Sequence, residues 1–260
     1  MIETNLLVPL LVGIFVGATA GYLGSFMVLK RMALVGDALS HVALPGMAIA
    51  LAFNFSPILG AFAALTIAIF GVWYFEKTTT LYPEALIGIF FTASLALGML
   101  ITPEPDLLEA LFGNIEKINL FEAMITVILS ILIFFQIKAV AKKLILGVIS
   151  EELVKSVGTT HNKINLIYLL AVGIIVALGV KFVGTLLMGA LVIVPAASAK
   201  NISGSMNNYY LLSVIFGITS AVIGVLTANL YHLPSGPTVV LTSIFIFILT
   251  YLAKKITPAK

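Results

Sequence analysis

Nine apolar runs, most of them close to the length that crosses a bilayer, dictate what this chain can become. They lie near residues 6–29, 39–53, 57–75, 82–101, 120–137, 164–181, 183–199, 209–230 and 237–253. A helix of about 20 apolar residues spans the hydrocarbon core. In lipid every backbone N–H and C=O must bond within the protein, so only helices or a closed barrel persist there. The alternation of barrel strands is absent. The pattern therefore predicts an all-α fold, a polytopic transmembrane helical bundle of eight to nine helices, forming a single transmembrane domain over residues 1–260. The runs at 39–53 and 183–199 are short and carry Pro and Gly, so broken or tilted helices are expected there. If one of them is re-entrant the count falls to eight.

Composition agrees. The chain is 61% hydrophobic and only 10% charged, where a soluble domain carries about a quarter charged residues. No soluble catalytic domain fits beside the apolar runs. Lys30, Arg31, Lys77, Lys138, Lys142, Lys143, Lys155, Lys163, Lys200, Lys254, Lys255 and Lys260 fall in alternate loops, and only Lys117 and Lys181 fall opposite. Basic loops face the cytoplasm, so the N-terminus is expected outside and the C-terminus inside. Glu3 precedes the first run and Lys30 and Arg31 follow it, the reverse of a signal peptide, so that run reads as a retained helix. The net charge of +3 is spread over short loops and does not indicate a nucleic-acid partner. The absence of cysteine removes disulfides, thiolate ligands and Cys nucleophiles. There is no phosphate-binding Gly-x-x-x-x-Gly-Lys-Ser/Thr, no His-Glu-x-x-His and no Gly-x-Ser-x-Gly, so the chain is not read as an enzyme.

Two ionisable residues stand out, Asp37 and His41, in GDALSHVALPG over residues 36–46. At i and i+4 they share one helix face. Ionisable groups in apolar spans are costly and point to function. Carboxylate plus imidazole is half of a first-row transition-metal site. The plainer alternative is that Asp37 caps a helix and His41 is a core histidine bonded to a carbonyl. His232 and Asn229, near an outer helix end, are further candidate ligands or pore residues.

Two other segments carry signals. Residues 150–158, SEELVKSVG, read as a short cytoplasmic helix: Ser150 at the N-cap, Glu151 and Glu152 in the first turn, Leu153 within it, Gly158 at the stop. It is a docking element or a solvated connector. The outer loop holding Glu104, Asp106 and Glu109 is acidic and would raise local cation concentration, if it is more than an ordinary polar loop. Gly13, Gly17, Gly21 and Gly24 mark a close helix contact, within the subunit or across a dimer.

The stretch RMALVGDALSHVALPG at 31–46 resembles the signature of the metal-ion permease subunits of bacterial ABC importers, the zinc/manganese/iron class. EALIGIFFT at 84–92, LFGNI at 111–115, VGTLLMGALVIVPAASA at 183–199 and LPSG at 233–236 resemble further motifs of that family, in the same order. His232 stands where many of its members carry Asp. The resemblance covers essentially the whole chain. It implies a fold similar to the cobalamin and siderophore importers, in a bacterial plasma (inner) membrane. It further implies a homodimer, an ATP-binding subunit docked on the cytoplasmic side and an extracytoplasmic metal-binding protein. No permanently bound cofactor is implied; the cargo would be Zn, Mn or Fe, handled by Asp37 and His41. The 150–158 segment falls where such importers place their coupling helix. The main alternative is a divalent-cation secondary transporter or channel that works without ATP.

Overall fold

A computed structural model of the protein describes residues 4–101, 111, 113, 119–156 and 158–256. Among the described residues there are ten helices and no strand. They are α1 (Thr4–Leu29), α2 (Ala33–Ala52), α3 (Pro57–Thr78), α4 (Pro83–Ile101), α5 (Leu120–Ile149), α6 (Glu151–Ser156), α7 (His161–Val183), α8 (Thr185–Ile202), α9 (Met206–Tyr231) and α10 (Ser235–Ile256). Eight are long and apolar enough to cross a membrane, and α8 adds a shorter apolar stretch, Leu187–Ile202. The chain is a multi-span, all-helical membrane protein with the eight to nine apolar helices that its sequence predicts.

The glycine stripe of α1 explains how the bundle closes. Gly17 lies against Gly217 of α9, where an added Cβ would come within 2.5 Å of the Gly217 carbonyl oxygen. Gly21 meets the Ser213 carbonyl of α9, and Gly24 meets the Val192 carbonyl of α8. Small residues let helix backbones approach where no water drives association. The stripe is thus packing within one chain. Two buried phenols clamp the same helix: Tyr168 of α7 donates to the Leu23 carbonyl at 2.8 Å, and Tyr209 of α9 to the Ser25 carbonyl at 3.2 Å. Several other hydroxyls bond back within their own helices, as Ser213 does to the Tyr209 carbonyl at 2.8 Å, which satisfies them in a dry interior.

α2 differs from the sequence expectation. It starts at Ala33, not near residue 39, and passes Pro45 and Gly46 unbroken. Two local reasons are visible. Arg31 takes a positive φ of 61° and the Met32 N–H bonds the Met27 carbonyl at 2.9 Å, so the chain turns sharply and re-enters the bundle at once. Gly46 sits face to face with Gly60 of α3, so a neighbouring helix supports the turn that Pro45 weakens.

The turn also half-buries a cation. Lys30 donates to Asn165 Oδ1 of α7 at 2.6 Å and lies 5.1 Å from the Tyr168 ring centroid. Burial pushes its amine down to about 8, and the Glu76 carboxylate of α3 acts against that fall. Lys181, one of the two basic residues the sequence pattern sets apart from the rest, pairs with Glu122 at 2.6 Å; Glu122 and Asn119 form the capping box that opens α5.

The run at 183–199 is not broken inside: α8 passes Pro195 as one helix, and the chain breaks just ahead of it. One residue, Gly184 at φ +91°, separates α7 from α8, a conformation that strains any residue with a Cβ. Gly113 packs on it so closely that a Cβ there would be 2.6 Å from the Gly184 nitrogen. α8 runs antiparallel to α2. Val192 meets Gly36, Gly189 meets Asp37, and Thr185 meets Ser40. The helix therefore begins inside the span of α2 rather than beyond its end.

Candidate functional site

α2 is buried along most of its length, from Val35 and Gly36 through Ser40 and His41 to Ala50. That burial sets the surroundings of the two ionisable residues on it. His41 is 8% exposed, and Asp37 is half-buried one turn earlier. The Asp37 charge acts on His41 across the turn. Met32 flanks the start of the helix, so Asp37 lies in the second turn and does not cap it. The helix-cap alternative is thereby removed.

Two neighbouring helices hold the pair. Gly189 of α8 leaves the space that Asp37 occupies: a Cβ on Gly189 would lie 2.6 Å from the Asp37 Cα and 2.8 Å from its Oδ1. Ser40 Oγ reaches the Asp37 carbonyl at 2.6 Å and the Thr185 carbonyl at 2.5 Å, tying the first turn of α8 to the turn between Asp37 and His41. Phe91 of α4 stands edge-on to the His41 ring, centroids 5.3 Å apart.

This packing leaves two polar atoms without partners, His41 Nδ1 and Thr185 Oγ1, both buried. Orphaned buried polar atoms cost roughly 1–3 kcal/mol each; Trp73 Nε1, Ser130 Oγ and Tyr210 OH are orphaned elsewhere in the described residues, and what sets His41 Nδ1 and Thr185 Oγ1 apart is that both belong to residues around the Asp37–His41 turn. The alternative of a carbonyl-bonded core histidine leaves Nδ1 unexplained. Among the described residues no three His, Cys, Asp or Glu side chains come together as a metal cluster. A metal bound by Asp37 and His41 would need other donors.

The remaining candidates lie elsewhere. His232 is the C-cap of α9 in left-handed conformation (φ 53°, ψ 42°) and is exposed, as is Asn229 one turn before it. Gly217 of α9 is level with Gly17, and His232 is about four helical turns beyond. The described residues do not bring it to the α2 pair. Glu104, Asp106 and Glu109 lie outside the described residues.

The 150–158 segment forms as expected. α6 covers Glu151–Ser156; the Glu152 N–H bonds Ser150 Oγ at 3.1 Å, and Gly158 turns with φ +73°. Val154 is fully buried while Glu152 and Leu153 are exposed. α6 is thus anchored by one residue and presents its neighbours outward.

Sequence reading missed Ser40, Phe91, Thr185 and Gly189. Ser40 sits inside the Asp37–His41 motif and was within reach. The other three become neighbours only through the α2–α8 and α2–α4 contacts.

Comparison with known proteins follows the same lines. The chain is 28% identical to the manganese transport system membrane protein MntC of Listeria innocua, over 94% of this chain and 88% of that protein. It is 31% identical to the high-affinity zinc uptake system membrane protein ZnuB of Buchnera aphidicola, over 94% and 96%. Its fold matches PsaBC from Streptococcus pneumoniae, solved in complex with a Fab, with TM-score 0.84 and 29% identity, covering 96% of this chain and 92% of that one. A metal-chelate type ABC transporter in an inward-facing conformation shares the fold, with TM-score 0.73 at 19% identity. Residues 3–254 match the family described as ABC 3 transport, which bears out the sequence resemblance. The chain belongs to the ABC 3 transport family.

Proposed function

We propose that this chain is the membrane-spanning subunit of an ATP-driven importer of a divalent transition-metal ion, and that Asp37 and His41 of α2 hold the ion in passage. The observation that carries the reading is the buried His41 with Nδ1 unpartnered, one helical turn from Asp37. Imidazole and carboxylate suit Zn²⁺, Mn²⁺ and Fe²⁺ alike. The names of the manganese and zinc relatives support such a cargo. A site on a transport path must also release its ion, which fits two strong donors better than a closed cage. The protein holds no resident cofactor in this account.

The rest of the assembly follows. Residues 1–260 form one transmembrane domain. Two copies form a homodimer, and the second copy or another helix completes the coordination shell. α6 with Gly158 is the coupling segment on which a separate ATP-binding subunit docks; its anchored Val154 and outward Leu153 support that role. An extracytoplasmic binding protein delivers the metal to the outer face, where Glu104, Asp106 and Glu109 attract it; His232 and Asn229 line that outer approach. The N-terminus lies outside and the C-terminus in the cytoplasm of a bacterial plasma membrane, as the basic loops indicate.

The test is reconstitution in proteoliposomes with the ATP-binding subunit and the binding protein. Uptake of Mn²⁺ or Zn²⁺ that requires ATP and stops without the ATP-binding subunit supports the reading. Uptake by this chain alone, driven by an ion gradient, makes it a secondary carrier instead.

A further inference from the structure

The Asp37–His41 site of the proposed function supplies two donors, and the described part of this chain adds no third carboxylate or imidazole to it. First-row metals in such sites take four to six ligands. Within the described residues a further donor is an uncharged oxygen.

Thr185 has the properties of that oxygen. It is the first residue of α8, directly after the Gly184 break. It is fully buried, and Oγ1 makes no hydrogen bond. A threonine inside a helix usually bonds back to its own preceding turn, and many hydroxyls here do so. Thr185 has no such carbonyl, because the chain reverses at Gly184. Its backbone is held where the site lies: the Thr185 carbonyl oxygen is 2.5 Å from Ser40 Oγ, and Ser40 stands between Asp37 and His41 in sequence. Gly189, one turn further along α8, touches Asp37. Thr185 and Gly189 occupy one face of α8, and that face lies on the Asp37–Ser40–His41 turn. His41, the residue after Ser40 on α2, also has an orphaned atom, Nδ1. The positive end of the α8 dipole is unfavourable to a cation, so attraction here comes from the hydroxyl oxygen and the Asp37 carboxylate and not from the helix end.

We propose that Thr185 coordinates the transported metal through Oγ1 as a third donor beside Asp37 and His41, and that it biases this site toward Mn²⁺ over Zn²⁺. A hydroxyl oxygen resembles water as a ligand. Oxygen donors suit Mn²⁺, whereas Zn²⁺ is satisfied by imidazole and carboxylate in four-coordinate sites. Loss of the hydroxyl therefore weakens Mn²⁺ more than Zn²⁺. The proposal rests on the metal-importer reading, and the controls separate the two.

The experiment is equilibrium binding of radioactive Mn²⁺ and Zn²⁺ to the full chain in lipid nanodiscs, with any subunit that co-purifies. Wild type is compared with Thr185→Val, which keeps the shape, Thr185→Ser, which keeps the hydroxyl, and Asp37→Asn. The expected result is that Thr185→Val loses about tenfold or more in Mn²⁺ affinity and much less in Zn²⁺ affinity, Thr185→Ser stays near wild type, and Asp37→Asn loses both metals. If Thr185→Val does not accumulate, Thr185→Ala carries the same comparison. Wild-type affinity for both metals in Thr185→Val, with loss in Asp37→Asn, overturns the Thr185 assignment and leaves the importer reading in place. Equal losses in Thr185→Val and Thr185→Ser make the residue a packing element and also overturn it. Unchanged binding in Asp37→Asn overturns the reading of the site itself.

Discussion

Gly189 of α8 lies directly against Asp37 of α2, close enough that a single added Cβ would stand 2.6 Å from the Asp37 Cα. The neighbour is backbone, which cannot rotate away. Gly189→Ala therefore has to push α2 and α8 apart, an overpacking that costs about 1–3 kcal/mol. The expected outcome is a variant that reaches the membrane but transports poorly, because Asp37 and the Ser40–Thr185 contact shift together. Metal accumulation normalised to membrane content checks it. Wild-type transport would mean that the α2–α8 contact does not position Asp37.

α6 separates two kinds of residue within a single turn. Leu153 is 40% exposed and Val154 fully buried. Leu153→Asp should leave the chain folded and abolish co-purification of the ATP-binding subunit. Val154→Asp places an unpaired charge in the core and should lower the amount of folded protein by itself. Pull-down of the ATP-binding subunit beside a thermal-unfolding curve distinguishes the two. If Leu153→Asp retains the partner, α6 is a connector.

Much of this architecture was legible before any coordinates. Apolar length marks the spans because lipid leaves the backbone no alternative to helix. The i, i+4 spacing placed Asp37 and His41 on one face, and Ser150 and Gly158 bounded α6. What stayed hidden depends on contacts between distant segments. Lys30 reads as a solvated loop lysine, yet it is half-buried against Asn165 and Tyr168. Lys181 reads as a stray outer charge, yet it pairs with Glu122. Pro45 reads as a break, yet the Gly46–Gly60 contact keeps α2 whole. Thr185 reads as one residue of an apolar run, and nothing local shows that α8 begins beside Ser40.

Lys30 gives the fold a pH signature. Its amine falls from an ordinary value near 10.5 to about 8 in the folded protein, through burial first, with Glu76 opposing. Between those values the unfolded chain holds a proton that the folded chain has released, so folded stability rises with pH across about 8 to 10.5. Below about 8 the amine is charged in both states and its burial costs a constant amount, on the order of 3 kcal/mol. Lys30→Met removes this dependence, although it also leaves Asn165 without its partner. The difference in Tm, wild type minus Lys30→Met, should therefore grow between about pH 7.5 and 9.5. A flat difference would show that Lys30 keeps an ordinary amine.

The central claim is that Asp37 and His41 act as one site for a metal in transit. The most direct measurement is cellular accumulation of Zn, Mn and Fe in a strain carrying this chain with its partner subunits. Wild type is compared with Asp37→Ala, His41→Ala and the double variant at equal membrane expression. Two donors on one ion are not additive. The account predicts that each single variant loses uptake of the same metal by about tenfold or more, and that the double variant is no worse than either. Uptake unchanged in both single variants would contradict it and leave the two residues as parts of the α2 packing alone.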